Sequence, residues 1–292
     1  MRIEIANSGE IMLHPELPNI LRHSFDKGVA LSVETGVNFN YVPQDTIEAL
    51  VSFPVERLII SIDGCSQDTY QKYRVGGNYD QVIKNIQTLN SLKDKYKKIK
   101  PVLVWQFILF GHNEHEVDCA RKTARELEME FSLKMASESA RFQSPVKNKE
   151  RARKLFQLGD VADRTEYRRK FSREYGQDGA CTQLWSNPQV NYDGRVLGCC
   201  VNHWGDFGNA FSTSLRDIFF GEKMTYARSM LTGNAPPRDD IPCSQCWMYK
   251  SINELNSWVL PVKKPKRSQG FTLTRNQVFF ARLVQRLKRI WL

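Results

Sequence analysis

Apolar positions in the first half of the chain switch back and forth between two spacings. Residues 2–8 are a short β-branched run ending in Ser8-Gly9-Glu10. Residues 15–27 place Leu17, Ile20, Leu21 and Phe25 on one helical face. Residues 29–34 return to strand character, 44–52 to helical spacing, and 57–63 (RLIISID) to strand. A long helix is predicted over 79–95, with Val82, Ile86 and Leu89 on one side. A strand at 102–110, a helix at 114–128 and a strand at 130–135 follow. Regular strand–helix alternation predicts parallel βαβ units, and nearly all-apolar strands predict a sheet covered on both faces. The fold class read from this half is α/β.

The alternation stops after residue 136. Residues 137–177 are rich in Lys, Arg and Glu and read as a charged, partly helical linker. Residues 178–255 are dense in Gly, Asn, Asp, Trp and Cys and read as a small α+β domain. Within it, Val190 to Val196 reads as a hairpin turning at Asp193-Gly194, and 214–220 and 223–231 read as helices. Residues 256–292 form a basic tail.

Composition changes this picture in one place. Of a net charge of +10, nine positive charges without an acid lie between Lys263 and Leu292. The rest is nearly neutral, so the charge describes the tail. There, Phe280, Leu283, Val284, Leu287 and Trp291 share a helical face opposite Arg275, Arg282, Arg286 and Arg289. Such a helix suits an anionic membrane surface or an acidic partner; a C-terminal helix docked on the barrel has the same pattern. Nucleic acid is a weaker fit, because the body lacks basic patches. No apolar run approaches the roughly 20 residues that span a bilayer, and the N-terminus lacks signal-peptide shape. The expected location is cytoplasmic, peripheral to a membrane if the tail binds one.

The seven cysteines are odd in number in a chain too long to need disulfide staples, which reads as metal ligands or packing residues in a reducing compartment. Cys243 and Cys246 form a C-x-x-C, and Cys181 and Cys199 flank the hairpin. Four cysteines in a segment poor in aliphatic residues point to a metal that supplies folding energy. Spacing leaves zinc and an iron–sulfur cluster open. Cys200 competes with Cys199, although neighbours on a strand face opposite ways. Cys65, beginning a turn, and Cys119, inside a helical pattern, read as packing residues.

Cys181 to Cys200 (CTQLWSNPQVNYDGRVLGCC), Gly205 to Phe211 (GDFGNAF) and Pro242 to Cys246 (PCSQC) resemble the SPASM-type C-terminal domain of radical S-adenosylmethionine (SAM) enzymes. In the first half, SGEIMLHPEL from Ser8 resembles that family's Gly-Gly-Glu-Pro segment. IISIDG from Ile59 and YRVGGNYDQVIKNI from Tyr73 are similar to its fourth strand and following helix. The resemblance covers roughly residues 1–250. It implies a partial (β/α)6 barrel over residues 1–136 and an auxiliary [4Fe-4S] cluster on Cys181, Cys199, Cys243 and Cys246. It further implies that Ser8, Gly9 and Glu10 hold the SAM amino group, Ser61 its ribose and Arg74 its carboxylate.

The family's catalytic cluster is held by C-x-x-x-C-x-x-C after the first strand, and the sequence contains no such motif. The first βα unit is therefore expected to be missing. An N-terminally incomplete enzyme is one expectation; a degenerate member acting as a non-catalytic electron-transfer or partner subunit is the other. Family members modify peptides, proteins or small alcohols and draw electrons from a reductant such as ferredoxin or flavodoxin, which become the implied partners.

Overall fold

The computed structural model describes residues 2–7, 9–137 and 142–260. Ser8 and the basic tail from residue 261, with its proposed amphipathic helix, lie outside the described residues. The chain divides into two units, meeting between Lys170 and Phe171.

The first unit is built on five parallel strands: β1 (Arg2–Glu4), β2 (Ala30–Val37), β3 (Arg57–Ser61), β4 (Val102–Leu109) and β5 (Glu130–Met135). They lie side by side in chain order. Each parallel neighbour requires a crossover. These are supplied by α1 (Leu17–Asp26), α2 (Gln44–Ser52), α3 (Gln67–Tyr73) with α4 (Tyr79–Lys95), and α5 (Val117–Glu126). The period-2 alternation of β3 and β4 sends Leu58, Ile60, Leu103, Trp105 and Phe107 into one core with Ile47, Leu50, Val82, Ile86 and Leu89 from the helices. Ser61 and Gln106, adjacent in register, take the other face. Both are buried. Between Val33 and Val37 the pairing of β2 with β3 is irregular, and Gly36 sits in that interval.

The charged stretch after β5 carries α6 (Lys149–Phe156) and α7 (Arg164–Phe171). Ala152 and Ala162 join the first unit's core. Between the two helices Glu166 accepts from Ala162 N–H (3.0 Å), Lys149 Nζ (3.2 Å) and Arg153 Nη2 (3.0 Å). Burial opposes its charge, but these donors outweigh burial and hold the carboxyl below its ordinary range.

The second unit contains α8 (Gln177–Cys181), α9 (Gln183–Ser186), α10 (Leu215–Phe220), α11 (Glu222–Leu231) and α12 (Trp247–Leu255). The expected hairpin is present as the bridge of Val190 with Val196, and its second arm bridges onward from Arg195 to Asn209. Its turn is closed by Asn191 N–H to Arg195 O (2.8 Å) and Gly194 N–H to Asn191 O (3.0 Å). The core of this unit holds Leu184, Val196, Phe207, Met224, Ile241 and Ile252 together with Cys181, Cys199 and Cys246.

One expectation is overturned. Cys65 and Cys119 are not separate packing residues but a disulfide, with Cα atoms 6.2 Å apart. The loop after β3 and the first turn of α5 meet at the same end of neighbouring strands. That brings together two cysteines 54 positions apart, a proximity the linear pattern does not carry.

Candidate iron–sulfur centre and cofactor face

Three short elements present the four candidate ligand cysteines of the second unit. Cys181 ends α8. Cys199 follows the hairpin, and Gly198 before it has φ +81°, with its missing Cβ directed at the Phe207 ring (2.5 Å). No larger residue fits so tight an approach. Cys243 and Cys246 bracket a single 3-10 turn, Pro242–Gln245, closed by Cys246 N–H to Cys243 O (3.0 Å). Cys246 then leads into α12.

Cys181, Cys199 and Cys246 are buried, Cys243 is half-buried and Cys200 is exposed. Cys200 is turned outward, its N–H bound to Gln183 Oε1 (2.6 Å). Burial pushes the Cys181 thiol up, and the neighbouring Cys199, Cys243 and Cys246 push it further. Burial and then Cys199 and Cys246 do the same to Cys243. Burial likewise raises Cys199, while backbone N–H groups of Val201 and Asn202 aimed at its sulfur pull it back. Cys181 Sγ also lies 3.6 Å from Met248 Sδ.

The thiols therefore sit near one another in an apolar setting that by itself keeps them protonated. The groups acting most strongly on Cys181 and Cys243 are burial and the neighbouring thiols, with Asp178 adding to the effect on Cys181. Such a donor set fits a cationic metal core, which deprotonates its thiol ligands, and N–H···S bonds are a known means of tuning a cluster. Among the described residues, no group of three or more His, Cys, Asp or Glu side chains converges as a single-ion site.

In the first unit, Gly9, Glu10 and Ser61, expected to hold SAM, lie at the carboxyl ends of strands, while Arg74 caps a helix. Gly9 and Glu10 follow β1. The Glu10 carboxylate accepts from Met12 N–H (3.2 Å) and Asn38 N–H (2.7 Å), tying the loop after β1 to the loop after β2. Ser61 Oγ accepts from Gln106 Nε2 (3.2 Å). Gln106 Oε1 is buried with no partner among the described residues. Gly36, at φ +89°, makes room for this pair: a Cβ there would stand 2.5 Å from Ser61 Oγ and 2.6 Å from Gln106 Nε2.

Arg74 closes α3 and reaches back to Asp63, with Nε and Nη2 each 2.7 Å from Oδ2. Asp63 is fully buried. Burial lifts its carboxyl above the ordinary range; Arg74 and the Ile108 N–H (2.7 Å) partly offset this. Glu10, Ser61 and Arg74 thus each have protein partners and do not bond to one another among the described contacts.

Gln106 and Asp63 were absent from the sequence-derived site. Gln106 could have been found as the lone polar residue inside the apolar run of β4, VLVWQFIL. Asp63 offered only its place at a strand end.

Residues 181–247 match the SPASM family model, described as an iron–sulfur cluster-binding domain. Comparison with curated proteins gives no match. Among solved structures, the chain is similar to Streptococcus suis SuiB, with a TM-score of 0.57 and 15% identity over 85% of this chain and 61% of that one. Similar values hold for SuiB bound to S-adenosylmethionine (TM-score 0.57, 14% identity, 85% and 60% covered). They hold also for SuiB bound to its precursor peptide SuiA (TM-score 0.56, 15% identity, 85% and 59% covered). The chain therefore has the SuiB-like fold and spans about three fifths of the SuiB chain.

Proposed function

We propose that this chain is a radical SAM/SPASM-type iron–sulfur protein that acts in peptide modification. Its second unit holds one auxiliary [4Fe-4S] cluster on Cys181, Cys199, Cys243 and Cys246. The observation that carries the reading is the group of four thiols, three buried and Cys243 half-buried against them, inside the segment matching an iron–sulfur domain. Such a cluster supplies one-electron chemistry or an anchoring iron for substrate. The chain's own contribution is to exclude water around it, to aim the Val201 and Asn202 N–H groups at Cys199, and to keep Cys200 outside.

SAM is assigned to the carboxyl end of the five-stranded sheet, where parallel α/β folds hold ligands. The buried Ser61–Gln106 pair offers a hydroxyl and an unpaired carbonyl oxygen to a ribose, and Arg74 a guanidinium to a carboxylate. SuiB in complex with SAM and with a precursor peptide supports both assignments as expectations for this chain. A peptide is accordingly the preferred substrate class, with a ferredoxin- or flavodoxin-type reductant as electron source.

A second reading has an observation of its own. The first unit's cysteines, Cys65 and Cys119, are joined to each other. A chain so built serves as an iron–sulfur electron-transfer or partner subunit, with the catalytic triad of thiolates provided from elsewhere.

Anaerobic purification followed by iron, sulfide and zinc analysis tests the cluster. Stoichiometric zinc without iron would overturn it and leave a structural zinc site. Equilibrium dialysis with SAM separates the two roles: binding lost in Ser61→Ala and Gln106→Leu supports the enzyme, and no binding supports the subunit.

A further inference from the structure

The loop that carries Asp63 is seated on β4 and its following turn by Ile108 N–H to the Asp63 carboxylate (2.7 Å) and Asn113 Nδ2 to the Asp63 carbonyl (3.1 Å), and it is fastened at three further points. Asp63 pairs with Arg74 at the far end of α3, so residues 63–74 form a closed segment. Glu116, just before α5, accepts from Cys65 N–H (2.5 Å), Ser66 Oγ (2.6 Å) and Thr69 Oγ1 (3.0 Å). The third point is the disulfide from Cys65 to Cys119 of α5. Without it, the start of α3 would be held to α5 by the side chain of Glu116 and by weak contacts at the Cys65 sulfur.

The two sulfurs are not equivalent. Cys119 is exposed and Cys65 half-buried. Two hydroxyls approach Cys65 Sγ, Thr123 Oγ1 at 3.7 Å and Tyr79 Oη at 3.9 Å. An attacking thiolate has access at Cys119, and hydrogen-bond donors stand ready at the sulfur that would leave. Both conditions speed thiol–disulfide exchange. The other five cysteines of the chain are free thiols. A protein that must keep thiols free to receive an iron–sulfur cluster works among reductants, where a disulfide is mostly transient or redox-sensing.

We propose that Cys65–Cys119 is a redox-operated clamp on the Asp63–Arg74 segment, opened by a dithiol reductant. One thiolate of the reductant attacks Cys119 Sγ, the S–S bond breaks, and Cys65 leaves as a thiolate that takes up a proton beside the Glu116 carboxylate. The reductant's second thiolate then resolves the mixed disulfide and frees Cys119. The chain gains two electrons and two protons, and the dithiol becomes a disulfide. Opening loosens α3 and with it Arg74. The assignment of Arg74 to the cofactor and the requirement for free thiols rest on the function proposed above.

The test uses the full chain, isolated anaerobically without reductant and then exposed to thioredoxin-type dithiol or to buffer. Alkylation followed by peptide mass analysis reads Cys65 and Cys119, and hydrogen exchange reads residues 63–77. The expected result is two newly alkylated cysteines on reduction and about tenfold faster exchange in that segment. A Cys65→Ser/Cys119→Ser variant should exchange fast in both conditions. The proposal is overturned if both cysteines are alkylated before reduction, if the pair resists the dithiol, or if exchange of 63–77 does not respond. None of these readouts involves SAM or iron, so iron analysis of the same samples tells failure of the clamp from failure of the cluster assignment.

Discussion

Gly36 shows how much can depend on one missing methyl group. Its positive φ and the 2.5 Å and 2.6 Å approaches of Ser61 and Gln106 leave no room for a side chain. Gly36→Ala should destabilise the first unit by about 2 kcal/mol, the sum of a strained backbone and an overfilled site. Urea unfolding monitored over that unit measures it, and a change below the error of the method would show that the polar pair can shift. Asp63 presents the opposite case, a charge that needs its neighbour. With Arg74→Met the fully buried carboxylate loses its counter-ion, a change that costs about 3–5 kcal/mol when the charge has nowhere to go. Asp63→Asn with Arg74 intact should cost less, since half-exposed Arg74 can turn to solvent. Equal losses in the two variants would contradict this ranking. The sequence made Arg74 visible through its motif. It did not reveal Asp63 as the partner, because the pairing crosses from a strand end to a helix end.

The elements most legible in the chain were those whose apolar positions repeat over several turns. The bounds of α2, α4 and β5 agree with the pattern, because Ile47, Leu50, Val82, Ile86 and Leu89 all point into one core. The helix α3 was not anticipated. Its sequence QDTYQKY buries only Thr69 and Tyr70, so it has a cap and a clamp rather than a stripe. Caps can be tested directly. Asn78 accepts from Gln81 N–H (3.0 Å) at the start of α4, and Asn78→Ala should cost about 1 kcal/mol by chemical denaturation. The helices α6 and α7 arise from a stretch that looks like linker because its apolar content is low. They are joined through Glu166, whose carboxyl is held below the ordinary glutamate value by its N–H and cationic donors. Its contribution is present above that value and lost as pH falls through the depressed pKa. Hydrogen exchange over 149–171 should accelerate on acidification in the native chain, and Glu166→Gln should remove that dependence. An unchanged acid response in the variant would place the titrating group elsewhere.

At the scale of the molecule, the two units differ in what holds them together. The first is a sheet with a contiguous aliphatic core. The second has short helices, two isolated bridges and four cysteines inside its apolar cluster. With the cluster assignment, iron removal by chelation should raise hydrogen exchange of residues 181–252 at least about tenfold and leave residues 30–135 unchanged. Uniform loosening of both segments, or none, would argue against a metal supporting the second unit. The cysteine group could be read from spacing because it is local, two cysteines around a hairpin and two around a turn. What spacing did not carry was which sulfurs would be buried, since that depends on Phe207, Met248 and Gln183 arriving from other segments.

The sheet's strand order, β1 to β5 in succession, also has a meaning for how the chain is made. During synthesis the N-terminal segments emerge first, and domains generally fold as they appear. Each new strand here finds its partner already exposed, so no strand must wait for a distant one. The cysteine group has the reverse timing: Cys181 emerges early, and its last companion, Cys246, only after the hairpin, α10 and α11 have been translated. A ribosome stalled between them would carry a finished sheet beside uncapped thiols. With the proposed cluster on these four cysteines, the handover of iron is a late event, after translation has passed Cys246.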